Sequence, residues 1–328
     1  MTNSIKVHPF SKDPILDIGK KLRETGSFTR YGNYFASANI MLSPVINSWL
    51  KFFSPNKNTP IHSLIIWTNE EAQSLDKPYL PIPKNSFIHK CMRSNNPKYK
   101  QILEKGEKIL IRSYLEAEKF FNEKDKEKIP LKFELVGEHG FGMETNNARK
   151  SIQVAYPSFN RLLFNIWKNN KNAIDTYQIF FKSSFAHEMT HFIREELEYN
   201  RKNRGLEIAT HIVEILASDG EHLMVTNKYA AAIEKTFKSP KEYRSYRKDI
   251  VHGLLILHQI LSEKKECLYK PKDFFPDELH KAIKSIPENI REGILKDLAQ
   301  SILNTPSKKL IEAAKEHGKV LIKQMSSS

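Results

Sequence analysis

The pentapeptide His187-Glu188-Met189-Thr190-His191 holds the residues most able to do chemistry in this chain. On an α-helix, residues four apart lie one turn apart on the same face, so the two imidazoles can be aimed at one ion. Imidazole nitrogen is a preferred zinc ligand. The Glu188 carboxylate sits beside the pair, placed to act on a water bound to such an ion. The flanks suit this use. Phe185, Met189, Thr190 and Phe192 are uncharged and Ile193 is apolar. No neighbouring charge competes with the site there, and Met189 and Phe192 give the helix an apolar face to bury. The competing reading is a histidine pair in solvent or in the core, without metal.

A helix must carry this motif. Ile179, Phe181, Phe185, Ala186, Met189, Phe192, Ile193 and Leu197 recur at helical spacing, with Asp175 and Gln178 as a capping box and Asn200 to Gly205 as the break. A second helix is expected from Leu206 to Ser218, with Gly220 as its C-terminal cap. Its Glu207, His211 and Glu214 stand at i, i+4 and i+7, a polar stripe among Ile208, Ile212, Ile215 and Leu216. Such a stripe either faces water or offers a carboxylate to the histidines.

Upstream, a helix is expected over 99–123, then strands at Leu131–Val136, Ser151–Tyr156 and Leu162–Trp167, with a turn at Gly137–Gly142. The first hundred residues are broken by Ser-Pro-Asn, Pro-Ile-Pro and Asn-Asn-Pro turns. Within them Ile61–Trp67 reads as a short strand or helix start, and Tyr34–Phe53 as a buried helical hairpin. Beyond Gly220 the pattern is helical to the end.

The segment Ser184–Ile193 resembles the active-site helix of the zincin metallopeptidases, whose signature is HExxH with uncharged and hydrophobic flanks. That resemblance implies an α+β, mostly helical fold: a small twisted sheet over the motif helix, and a later helix giving the third ligand. It implies a catalytic core at 99–225, an N-terminal region of unknown role at 1–98, and a helical region at 226–328 completing the cleft. Six residues after His191 stands Leu197, not the His or Asp of metzincins, and the Gly-Thr-x-Asp stretch of aspzincins is missing. The gluzincin arrangement remains. In it Glu214 is the expected third ligand, because Glu214-Ile215-Leu216-Ala217 resembles that group's Glu-x-x-Ala run, and Glu207 is the alternative. One zinc per chain would then be held by His187, His191 and a glutamate, with Glu188 as general base for hydrolysis of a protein or peptide substrate. Tyr229, Tyr243, Tyr246 and His252 form the pool of oxyanion donors. An extended peptide would join a sheet edge, with Ser151–Tyr156 or Leu162–Trp167 as candidates.

Composition sets limits on partners. The 328 residues hold 52 Lys and Arg against 38 Asp and Glu, a formal charge of +14, and 12 of the basic residues are Arg. Lysine supplies solvated point charge where arginine would fork onto bases and phosphates. A Lys-rich surface able to meet an acidic partner or a membrane face is therefore expected, and specific nucleic-acid reading is not. Cys91 and Cys267 cannot build a disulfide framework. No run has the length and apolarity of a transmembrane span or signal peptide. A cytoplasmic site, or leaderless export, is the expectation. The large unmatched flanks are similar in style to bacterial effector and toxin proteases delivered to host cells. The alternatives are a zincin-like scaffold that binds metal without cleaving, and a basic protein-, membrane- or nucleic-acid-interaction module with an accidental HExxH.

Overall fold

The structure, a computed structural model, describes residues 51–52, 66–67, 86–129, 133–136, 143–146, 151–198, 206–238 and 245–327. Its first elements are β1 (Lys51–Phe52), β2 (Ile66–Trp67), α1 (Phe87–Arg93), α2 (Pro97–Glu118), α3 (Glu123–Lys126), β3 (Phe133–Val136), β4 (Met143–Asn146) and β5 (Ser151–Ala155). Helices follow: α4 (Tyr156–Trp167), α5 (Lys171–Glu198), α6 (Leu206–Ala217), α7 (His222–Val225), α8 (Lys228–Lys238) and α9 (Ser245–Glu263). The last are α10 (Pro276–Lys284), α11 (Glu288–Leu303) and α12 (Ser307–Ser327). The class is α+β and mostly helical, as the pattern led us to expect.

Local chemistry sets the ends of the helices that matter. Asn169 turns the chain with φ of 54°, and the Asn170 side chain then accepts from the Ala173 amide, so α5 starts at Lys171. The cap is this asparagine and not the Asp175–Gln178 pair. At the far end of α6, Asp219 and Gly220 take φ of 55° and 77°, and the Gly220 amide reaches back to the Ile215 carbonyl at 2.9 Å. That left-handed excursion and the Ser218 hydroxyl, which donates to the Glu214 and Ile215 carbonyls, together satisfy the end of the helix.

A three-stranded sheet has the order β3-β5-β4, with β3 parallel and β4 antiparallel to β5. Ile152 and Val154 of β5 are wholly buried, and Thr145 of β4 lies opposite Ile152. β1 and β2 form a separate antiparallel pair. The sheet, α2 and α4 pack on α5, while α9, α11 and α12 pack on α6. α5 and α6 lie against each other in the middle. Every residue of α6 from Ile208 to Ala217 is buried, its polar stripe as well as its apolar faces.

At Gly106 of α2, an added Cβ would lie 2.3 Å from Leu163 Cδ2 and 3.3 Å from the Phe159 ring, so the approach of α4 to α2 depends on this glycine.

Several expectations need correction. Leu162–Trp167 is helix and not strand. Pro157 stands in the first turn of α4, and Phe159, Leu162, Leu163 and Ile166 follow the i, i+3, i+4, i+7 spacing of one helical face. β4 was not foreseen. The 99–123 helix divides into α2 and α3. The Tyr34–Phe53 run lies outside the described residues except for Lys51–Phe52, as does the Gly137–Gly142 turn. Among the described residues, no helix is long and apolar enough to cross a membrane.

Candidate metal centre

His187 and His191 project from the fully packed middle of α5, one turn apart, with ring centroids 5.1 Å from each other. The polar stripe of α6 faces them. His211 and Glu214 are sealed from solvent, and only 28% of the Glu207 side chain is exposed. The stripe therefore does not face bulk water.

The two glutamates address opposite nitrogens of His187. Glu207 Oε2 lies 3.2 Å from His187 Nε2, and Glu207 Oε1 lies 3.7 Å from His191 Nε2. Glu214 Oε2 instead lies 3.0 Å from His187 Nδ1. A carboxylate accepts only, so Nδ1 carries the proton it donates, and the Nε2 lone pair of neutral His187 is turned toward Glu207. Two acceptors then face each other at 3.2 Å. That arrangement calls for positive charge between them, supplied by a second proton on His187 or by a metal cation.

Glu214 itself is saturated. Its Oε1 accepts from Lys228 Nζ at 2.7 Å, Tyr229 Oη at 2.6 Å and His211 Nδ1 at 2.9 Å, while Oε2 accepts from His187. Four donors fill the roughly four lone-pair positions of a carboxylate. His222 Nε2 comes to 3.9 Å of Oε2, and its Nδ1 shares a hydrogen with Ser183 Oγ at 2.7 Å.

The electrostatics follow from burial and this hub. Burial opposes ionisation of Glu214, but the Lys228 ammonium and His187 hold its carboxyl well below the usual range. Burial, with Lys228 adding, pushes His211 down to about 3, and burial takes His222 to about 4, so both are neutral. Burial also opposes charging of His187, yet the Glu214 carboxylate and the contacts to both glutamates carry it well above an ordinary imidazole. Glu207 is depressed against the pull of burial, chiefly by its contact with His187.

Glu188 is buried beside the pair, and the Thr145 hydroxyl of β4 donates to its Oε2 at 2.6 Å. The sheet edge thus grips the carboxylate. Three residues beyond His191, buried Arg194 donates to the carbonyls of Ile302, Leu303 and Thr305 and to Ser307 Oγ. This guanidinium ties the end of α11 and the start of α12 to the motif helix.

Among the described residues two groups could hold an ion: His187, His191 and Glu207, or His187, His211 and Glu214. In the second, the place of a cation is already taken by the Lys228 ammonium and by the donated hydrogens on Glu214. The first fits better. Ligand atoms around a tetrahedral zinc with bonds of about 2.1 Å lie about 3.4 Å apart, and the two contacts at Glu207 are 3.2 and 3.7 Å.

Of the oxyanion candidates, Tyr229 has its hydroxyl on Glu214, His252 is buried on α9 outside both groups, and Tyr243 lies outside the described residues. Tyr246 is in α9. Asp219 pairs with Lys284 at 2.6 Å and with Arg291 at 3.3 Å, away from the histidines. Sequence reasoning missed Thr145, Lys228, His222 and Ser183. Thr145 sits in an unforeseen strand, and the other three carry no motif signal.

The chain was compared with family models, with curated proteins and with solved structures. It matches none.

Proposed function

We propose that this chain is a zinc-dependent hydrolase of zincin type, cutting peptide bonds, in which His187, His191 and Glu207 hold one zinc ion per chain. Glu214 is then the group that orients His187, and not the third ligand. The observation that carries this reading is the pair of nitrogens on His187: Nδ1 is fixed by Glu214 while Nε2 faces Glu207 beside His191 Nε2. A carboxylate on the outer nitrogen of a metal-binding imidazole sets its tautomer and orientation. Charge agrees. Glu188, Glu207 and Glu214 set three carboxylates against the one Lys228 ammonium, an excess of two negative charges that a divalent cation balances.

Bound zinc would lower the pKa of a water in its fourth position toward about 7 and polarise a carbonyl oxygen. Glu188 would then take a proton from such a water and pass it to the leaving nitrogen. Thr145 holds Glu188 Oε2, so the carboxylate stays oriented with its other oxygen available. The strand edge open to a substrate is that of β4. Ser151–Ala155 is the central strand and Leu162–Trp167 is helical, whereas β4 has no strand on its outer side among the described residues. An extended peptide adding to β4 would run past Glu188. Cys91 and Cys267 are buried and unpaired, so the fold needs no oxidising compartment and can work in a cytosol.

The test uses the full chain with one equivalent of zinc against an unstructured protein such as casein. Glu188→Gln should keep zinc and lower cleavage by about 10²–10⁴-fold. An equally active variant, or a zinc-loaded parent that cuts nothing across a broad panel, would overturn the peptidase reading.

A further inference from the structure

Away from the metal centre, four aromatic rings meet where α1, α2 and α4 join. Phe87 packs edge-on to Phe164 and Tyr99 at 5.7 and 6.0 Å, and Trp167 lies 5.6 Å from Phe87 and 5.5 Å from Phe164. The cluster is not sealed. Phe164 is 43% exposed, and Phe87, Tyr99 and Trp167 are half-buried. Lys168 Nζ lies 4.6 Å from the Trp167 ring centre and 5.7 Å from that of Phe164, while Lys90 Nζ lies 5.0 Å from that of Tyr99.

The surrounding charge is one-sided. Residues 86–103 hold Lys90, Arg93, Lys98 and Lys100, and residues 156–174 hold Arg161, Lys168 and Lys171, with no Asp or Glu in either stretch. The next acids along the chain are Glu104 and Asp175, which directly follow the two stretches. Lys90, Lys98, Lys100, Lys168 and Lys171 are all exposed.

We infer that this aromatic and lysine corner docks on an anionic lipid surface, with Phe164 and Trp167 at headgroup depth and the lysines on lipid phosphates. Half-exposed aromatic rings with an apolar body suit the boundary between headgroup and acyl chain, and lysine can reach back to the phosphates along its flexible stem. A basic cluster adds attraction for a negatively charged leaflet. A single-stranded nucleic acid fits less well. Stacking a base needs an open ring face, whereas here the rings pack on one another and lysines lie over those of Phe164, Trp167 and Tyr99. Lysine also outnumbers arginine in the corner, so planar forks for bases are few.

Co-sedimentation of the full chain with vesicles tests this. Phosphatidylcholine vesicles containing phosphatidylserine should bind it, and pure phosphatidylcholine vesicles should not. Lys90→Gln and Lys168→Gln should each weaken binding about fivefold, added salt should weaken it further, and Phe164→Ser should weaken it at unchanged charge. Lys308→Gln with Lys309→Gln, exposed on α12, should leave it intact. Far-UV circular dichroism checks that each variant is folded. Equal binding to both vesicle types, an equal loss in the α12 pair, or unchanged binding in Lys168→Gln and Phe164→Ser overturns the inference. So does binding to a single-stranded oligonucleotide, lost in those variants, with no vesicle binding.

Discussion

Replacing Glu214 by Gln removes a charge but almost no volume from a site where two carboxylate oxygens accept four hydrogens. A glutamine offers one oxygen and one NH2. Whichever way it turns, the NH2 meets a donor: His187 on the Oε2 side, or His211, Lys228 and Tyr229 on the Oε1 side. The Lys228 ammonium, its side chain only 15% exposed, also loses its counter-charge. Leaving one partner of a buried ion pair alone costs about 3–5 kcal/mol. The partial exposure of Lys228 favours the lower end, so about 3 kcal/mol is expected. With a urea slope of about 3 kcal/mol/M, the unfolding midpoint of the metal-free chain should fall by about 1 M. Glu207→Gln is the contrast. Among the described residues Glu207 pairs with no ammonium; in the metal-free chain its partner is the His187 imidazolium and its side chain is 28% exposed, so the midpoint should fall by less than it does in Glu214→Gln. Zinc binding should divide the other way. Glu214→Gln loses an orienting group and should weaken zinc about 10–100-fold, while Glu207→Gln loses a charged ligand and should weaken it by more. Urea denaturation of both variants, with zinc titration against a competing chelator, measures all four values. A folded Glu214→Gln that has lost zinc altogether, beside a Glu207→Gln that binds like the parent, would refute the assignment of Glu207.

Gly106→Ala forces a Cβ to 2.3 Å from Leu163 Cδ2, so α4 must shift or Leu163 must leave its rotamer. A loss of about 1–3 kcal/mol is expected by thermal or urea unfolding, and an unchanged midpoint would contradict the close approach. His258 and His317 share a hydrogen at 2.7 Å between α9 and α12, and burial, with His317 adding, pushes His258 down to about 4. Its unfolded value is near 6.5, so between those values the unfolded chain binds the extra proton. The His258 contribution, up to about 3 kcal/mol, is therefore fully present above pH 6.5 and lost as pH falls toward 4. Urea midpoints at pH 7.5 and 5 should differ less in His258→Gln than in the parent, and an identical difference would count against it. Arg194→Met should destabilise by about 2–3 kcal/mol, because four acceptors lose a charged donor. A cost below 0.5 kcal/mol would show that the tie between α5 and the C-terminal helices does little.

The motif helix was legible in the sequence because two signals coincide there: apolar residues at helical spacing and histidines four apart. α6 and its left-handed end were legible too, since an apolar helix followed by Asp219-Gly220 has few other ways to stop. The third ligand was not. Glu207 and Glu214 share one face, seven residues and about 10.5 Å apart along α6, so the axial offset of α6 against α5 decides which reaches Nε2. Nothing in the sequence sets that offset. The Lys228 and Tyr229 donors that occupy Glu214 come from α8, across a turn. β4 carries little strand signal, because Met-Glu-Thr-Asn holds one β-branched residue and no aromatic. It is held by pairing with β5 and by the grip of Thr145 on Glu188. α4 was misread because a short apolar run fits either a strand or a buried helix.

Zinc K-edge X-ray absorption on the purified, zinc-loaded chain, paired with zinc analysis of the parent and Glu207→Gln, bears most directly on the metal centre. The prediction is one zinc per chain in an N/O-only shell with two imidazoles at about 2.0–2.1 Å and a carboxylate oxygen at about 2.0–2.2 Å, the carboxylate lost in Glu207→Gln. A sulfur shell, fewer than two imidazoles, or an unchanged spectrum in Glu207→Gln would contradict it.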